Sequence, residues 1–162
     1  MLDKNFYCVH NIDKKVFFNL KEKILVNDMI FKIKNEFHIT IFGHQIGSKF
    51  KELENTYPDL RNFIESKLEK FIWNITFYNE FYVIKAKNEA NVFSIIQKIE
   101  AKEIIDLFEE LNKKYNELNL LKPFPHITLF THNKDKGIGI NNEKEFLELK
   151  IDLLTKNKLI NF

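Results

Sequence analysis

Two heptads in this chain are near-copies of each other, and between them they limit what it can fold into. His38-Ile39-Thr40-Ile41-Phe42-Gly43-His44 and His126-Ile127-Thr128-Leu129-Phe130-Thr131-His132 agree at five of seven positions and hold four of the five histidines. Both are rich in β-branched and aromatic residues, so each reads as a strand. Strand side chains alternate, which puts His, Thr, Phe and His on one face of each heptad and the aliphatic residues on the other. A duplicated face of imidazoles and hydroxyls predicts two matching half-sites around one substrate. Five His and six Thr in 162 residues give only about 0.2 H-x-T triplets by chance, so two with matching flanks are a strong signal.

The chemistry such a face suits is phosphodiester cleavage. In-line attack at phosphorus needs a base for the nucleophile and an acid for the leaving oxygen on the opposite side. Two histidines fill both roles near neutral pH, because small environmental shifts keep one neutral and the other charged. Two hydroxyls donate hydrogen bonds to the non-bridging oxygens. A shared metal ion is the rival use of clustered histidines. His38 and His44, however, are separated by about 20 Å along a strand, and no acidic or thiol residue stands at ligand spacing inside either heptad. No metal and no cofactor is therefore expected.

Composition narrows the partners. The net charge is only +2 and Arg61 is the sole arginine, so the broad basic footprint of a duplex binder is missing and any phosphate must be held by Lys, hydroxyl, imidazole or backbone N–H groups. A compact substrate, such as a small nucleotide or an RNA end, fits better. Seventeen Phe predict an aromatic core. Cys8 has no intramolecular partner, no secretory signal is visible at Met1–Asn5, and no apolar run approaches the ~20 residues of a membrane span. A cytoplasmic protein with no membrane association and no obligate protein partner is expected.

Along the chain, residues 5–10 read as a strand and 14–25 as a helix or a hairpin. Residues 29–34 and 37–43 read as strands, and a helical stretch starting near Gly47 is interrupted at Pro58. Residues 71–78 and 81–87 read as a hairpin around Asn79-Glu80. Val92, Ile95, Ile96, Ile99, Ile105, Phe108, Leu111, Tyr115 and Leu118 recur with a helical period and predict one long helix of about 27 residues whose stripe is core packing. Pro123 and Pro125 lead into the second heptad strand, and 146–155 closes the chain as a strand. The expected class is α+β, in one domain spanning 1–162 with a heptad in each half.

Two H-x-T motifs about 90 residues apart in a small α+β chain resemble the two-histidine (2H) phosphoesterase superfamily. The resemblance covers nearly the whole chain. It implies a bilobal, pseudo-two-fold fold, with antiparallel sheets lining a central cleft and helices packed outside. It makes His38 and His126 the acid–base pair and Thr40 and Thr128 the phosphate-binding hydroxyls, with His126 as base and His38 as acid and without metal. The implied activity is that of a phosphodiesterase hydrolysing a 2′,3′-cyclic phosphate end or a small cyclic or 2′–5′-linked oligonucleotide. A non-catalytic nucleotide sensor and an RNA end-joining ligase are the alternatives. Phe42 and Phe130 either stack on bases or pack in the core. His44 and His132 either touch a second phosphate or face solvent. Tyr7 and Trp73 are candidate base platforms or core residues, and Lys122 a source of positive potential. Gly137-Ile138-Gly139-Ile140, after Lys134 and Lys136, is either a phosphate-cradling loop or a plain turn.

Overall fold

A computed structural model describes residues 2–161. Eight strands, each antiparallel to its neighbours, form one connected sheet. They are β1 (Cys8–Ile12), β2 (Lys23–Val26), β3 (Met29–Ile33), β4 (Phe37–Phe42), β5 (Ile75–Lys85), β6 (Phe93–Ala101), β7 (His126–His132) and β8 (Lys150–Leu154). The order across the sheet is β1-β4-β7-β6-β5-β8, and the β2–β3 hairpin joins β7 on the same edge as β4. Among the described residues four α-helices accompany it: α1 (His44–Leu53), α2 (Leu60–Leu68), α3 (Lys102–Lys114) and α4 (Glu143–Leu149). The α+β class is thus present, and Pro58 falls in the break between α1 and α2. Among the described residues no helix is long and apolar enough to cross a membrane.

The two faces of the sheet carry different cores. On one, Ile39, Phe42, Ile95, Ile127 and Phe130 meet Phe50 of α1, Ile64 of α2 and Phe108 and Leu111 of α3 in the larger cluster. On the other, Tyr82, Ile84 and Ile96 meet Phe124 and the α4 residues Phe146 and Leu149. Phe6, Phe31, Phe42, Phe50 and Phe130 are fully buried, which accounts for much of the phenylalanine; each contributes about 1.5–3 kcal/mol of apolar transfer energy.

Several sequence expectations change. The 27-residue helix does not exist: its first half is the strand β6, and only Lys102–Lys114 is helical. β6 is buried on both faces, with Ile95 in the larger cluster and Ile96 in the smaller, so its apolar residues follow no period of two and imitate a helical stripe. The expected hairpin at 71–87 is one long strand, β5, which slips register between Phe77 and Phe81 and pairs with β6. The segment 14–25 splits into a 3-10 turn (Lys14–Phe17) and β2. β2 turns into β3 through Asn27 and Asp28, both at positive φ (49° and 61°), the conformation that a two-residue hairpin favours. Part of the expected closing strand is α4, with β8 after it.

Candidate functional site

β4 and β7 lie side by side with Ile39 opposite Ile127. Antiparallel neighbours step in opposite directions, so this register sets His38 beside Thr128 and Thr40 beside His126. Ile39 and Ile127 point into the larger core, hence all four flanking side chains leave on the other face. The result is a square with a local two-fold axis through the Ile39–Ile127 pair, threonine facing histidine on each side. The two imidazoles occupy a diagonal of it, and diagonal neighbours on paired strands are about 7–8 Å apart, their Cβ atoms somewhat closer. The square is the arrangement the duplicated heptads predict.

The rest of each heptad departs from prediction, for the same reason twice. Between Val9 and Cys8 of β1, the partner on β4 jumps from Thr40 to Phe42, leaving Ile41 as an extra residue. Between Ile96 and Ile95 of β6, the partner on β7 jumps from Thr128 to Phe130, leaving Leu129 extra. Each heptad therefore carries a bulge at its fourth position, and a bulge reverses the alternation beyond it. Phe42 and Phe130 turn into the core and are 0% exposed, so they are not base platforms. His132 also leaves the site face: it lies between Phe31 and Phe93, its Nδ1 2.8 Å from the Ile30 carbonyl. His44 is not on a strand at all but in the first turn of α1, stacked on Tyr7 at 4.7 Å.

Tyr7 does reach the square. Burial, then Asp3 and Cys8, hold its phenol pKa above the usual value, and the nearby Thr40 side chain opposes them. Trp73 is stacked on His10 at 3.9 Å and, half-buried, packs against the larger core. The Lys122 ammonium is directed to Glu143 at 3.6 Å, not to the four site side chains. The glycine loop lies against the square: the Gly137 backbone covers Thr128, and the Ile138 N–H donates to Ser94 Oγ at 3.2 Å. Lys134 pairs with Glu89.

His126 is buried, and its Nδ1 lies 2.8 Å from the Phe124 carbonyl. A carbonyl only accepts, so Nδ1 carries the proton and Nε2 holds the free lone pair. Burial lowers the His126 pKa, the Phe124 carbonyl opposes it, nearby His38 lowers it further, and Glu145 raises it. The influence of His38 on His126 is the electrostatic signature of their proximity. His38 is more open, and its pKa is lowered by burial and then Lys34, with Glu36 opposing. His10 is likewise lowered, mainly by burial.

Three neighbours were not read from the sequence: Asn141 and Glu145 arrive from another segment, and Lys34, close to His38 along the chain, belongs to no motif. Asn141 donates its backbone N–H to Glu145 Oε2 (2.7 Å) and its side-chain NH2 to Glu145 Oε2 (2.9 Å) and Gln45 Oε1 (3.1 Å). It lines, with Thr40, Gly43, Phe124, Pro125 and Gly139, a narrow cleft beside His126. Lys34 directly follows β3, giving its backbone N–H to the bulged Leu129 carbonyl at 2.8 Å and its ammonium to the Asp135 carbonyl at 2.7 Å. Among the described residues no three His, Cys, Asp or Glu side chains are grouped as a metal cage.

The lowered histidines have a consequence for stability. Folded His126, His38 and His10 bind protons less readily than the unfolded chain, whose imidazoles titrate near ~6.5. Their contribution is therefore complete above about pH 6.5 and is lost as pH falls through the folded values, since the unfolded state then takes up more protons. Thermal midpoints followed by circular dichroism should drop between about pH 7.5 and about pH 5.5. The drop should shrink in His126→Asn, whose amide still reaches the Phe124 carbonyl. An equal drop in that variant would count against the assignment.

No protein-family model, curated protein or solved structure matches the chain.

Proposed function

We propose that the chain is a metal-independent phosphodiesterase that hydrolyses an RNA-derived phosphodiester, either a 2′,3′-cyclic phosphate end or a small cyclic or 2′–5′-linked oligonucleotide. One observation carries the reading: the Ile39–Ile127 register, which sets His38, Thr128, Thr40 and His126 in one two-fold square on one face. The paired bulges after each H-x-T support membership of the two-histidine phosphoesterase superfamily and its bilobal, pseudo-symmetric fold.

The roles follow from the environments. His126 is neutral, held by Phe124 with Nε2 free, and takes a proton from the attacking water. That water oxygen bonds to phosphorus, the bond from phosphorus to the leaving ribose oxygen breaks, and this oxygen takes a proton from His38. The substrate anion beside His38 favours the imidazolium and offsets the effects of burial and Lys34. Thr40 and Thr128 donate to the non-bridging oxygens, and the Tyr7 hydroxyl beside Thr40 orients the first of them. All of these groups are fixed before the substrate arrives, so little reorganisation accompanies charge development.

The test is a hydrolysis screen in EDTA over RNA with 2′,3′-cyclic phosphate ends, cyclic di- and trinucleotides, and 2′–5′ oligoadenylate, with products resolved by mass spectrometry. Cleavage of at least one class is expected. Intact substrates throughout, or cleavage only after a divalent ion is added, would refute the proposal.

A further inference from the structure

The outer face of the β2–β3 hairpin carries charges that folding does not need. Its inner face, Ile24, Val26 and Phe31, is buried in the larger core. Outward, Lys23 stands directly opposite Lys32, and Leu25 directly opposite Ile30. Like charges in register across an antiparallel pair destabilise it. No ion pair among the described residues relieves this one: Lys23, Lys32 and Lys34 take part in none. Leu25 and Ile30 are 67% and 57% exposed, so the apolar pair beside the lysines is also uncovered.

Position gives this face a meaning. Lys32 is opposite Thr131, and Thr131 is opposite Ser94, which shares the face of β6 that meets Thr128 and His126. The hairpin's outer face is therefore on the sheet face that bears the square; Thr131 and Ser94 between them are buried, whereas Lys34 is half-exposed. Lys34 sits at the junction, fastened to the Leu129 and Asp135 carbonyls. Moving away from His38, the order is Lys34, then Lys32 with Lys23, then Leu25 with Ile30. Lys32 lies about 10 Å along β7 from the position that His38 faces. Glu22 and Glu36 flank the strip in sequence without pairing to it.

We propose that this outer face is a docking track for single-stranded nucleic acid, RNA in the reading above, whose chain runs from the His–Thr square across Lys34 onto Lys32 and Lys23. It rests on the phosphodiesterase reading only in seating one phosphate of the strand at the square. The ammoniums meet successive backbone phosphates, and the Leu25–Ile30 pair offers apolar surface to a base. A narrow strip of three cations on a chain of net charge +2 follows one backbone but lacks the width that a duplex demands.

Fluorescence anisotropy with a fluorescein-labelled oligouridylate of about eight nucleotides tests this, a length within the ~4–16 nucleotides that single-strand sites cover. The probe ends in a plain 3′-hydroxyl, so binding is read whether or not the histidines turn anything over. A failed hydrolysis screen and a failed binding measurement are thus separate results. Wild-type affinity should fall with added salt. In Lys23→Thr/Lys32→Thr the affinity should be about tenfold weaker, and the log–log salt slope shallower by about 1.4, ~0.7 for each lost phosphate contact. Its melting midpoint should equal or exceed wild type, because a threonine pair replaces a repulsive one. Lys23→Gln/Lys32→Gln should lose affinity to the same extent. Unchanged affinity and slope in both variants, or duplex RNA of equal length bound as tightly as the single strand, would overturn the proposal.

Discussion

His126→Asn is expected to fold as the wild type does and to lose turnover by about 10³–10⁴-fold, at the upper end of what one acid–base catalyst contributes. The asparagine amide replaces the Nδ1–H donated to Phe124 but offers nothing in the place of Nε2. His38→Ala should lose a similar factor. The double variant should be little worse than either single one, because both groups act as a unit in the same displacement at phosphorus. In wild type, kcat/KM should trace a bell against pH. Its acid limb is the protonation of His126, and its alkaline limb the deprotonation of His38. Since kcat/KM reports the empty site, and burial lowers both groups there, both limbs should fall below the ordinary imidazole value near ~6.5. Lys34→Gln removes a charge that disfavours the His38 imidazolium, so it should move the alkaline limb upward and leave the acid limb in place. Full activity in either histidine variant, measured as product formed per enzyme, would end the catalytic reading.

The site was legible where local pattern and chemistry coincide. H-x-T on a strand fixes one face over three residues, and three residues is the reach over which alternation held. At the fourth position each strand bulges, and nothing in Ile41 or Leu129 announces an extra residue, because a bulge is decided by the partner strand. The reversal it causes sends Phe42, Phe130 and His132 away from the hydroxyls. The same blindness to partners turned β6 into helix: a strand covered on both sides has no polar face to mark its period. Lys34, Asn141 and Glu145 were hidden for a simpler reason. Lys34 is close to His38 along the chain but belongs to no motif, and only the packing of the 137–141 loop over β7 brings Asn141 and Glu145 close.

That packing makes Gly137 a position outside the square on which one of its hydroxyls depends. A Cβ there would lie 2.7 Å from Thr128 Oγ1 and 3.0 Å from its Cγ2, inside contact distance for both branches of the side chain. Rotation of χ1 can put Hβ in only one of the two crowded positions and leaves a heavy atom in the other. The hydroxyl must be displaced or the loop must lift, and either takes the Thr128 donor from its place. Gly137→Ala is therefore expected to lower kcat by about 10²–10³-fold, the range for deletion of one donor to a developing oxyanion. Thr128→Val should lose the same factor, being a deletion of the same hydrogen bond with the shape kept. The cycle separates this from general damage: residues in contact do not add, so the double variant should lose no more than the larger single effect. Thr40→Val should behave differently. Thr40 sits across the two-fold axis, in contact with Gly43 and Tyr7 rather than Gly137, and its loss should multiply with that of Gly137→Ala. Multiplication in the Gly137–Thr128 pair as well would mean that the loop acts on the site by some route other than the Thr128 hydroxyl.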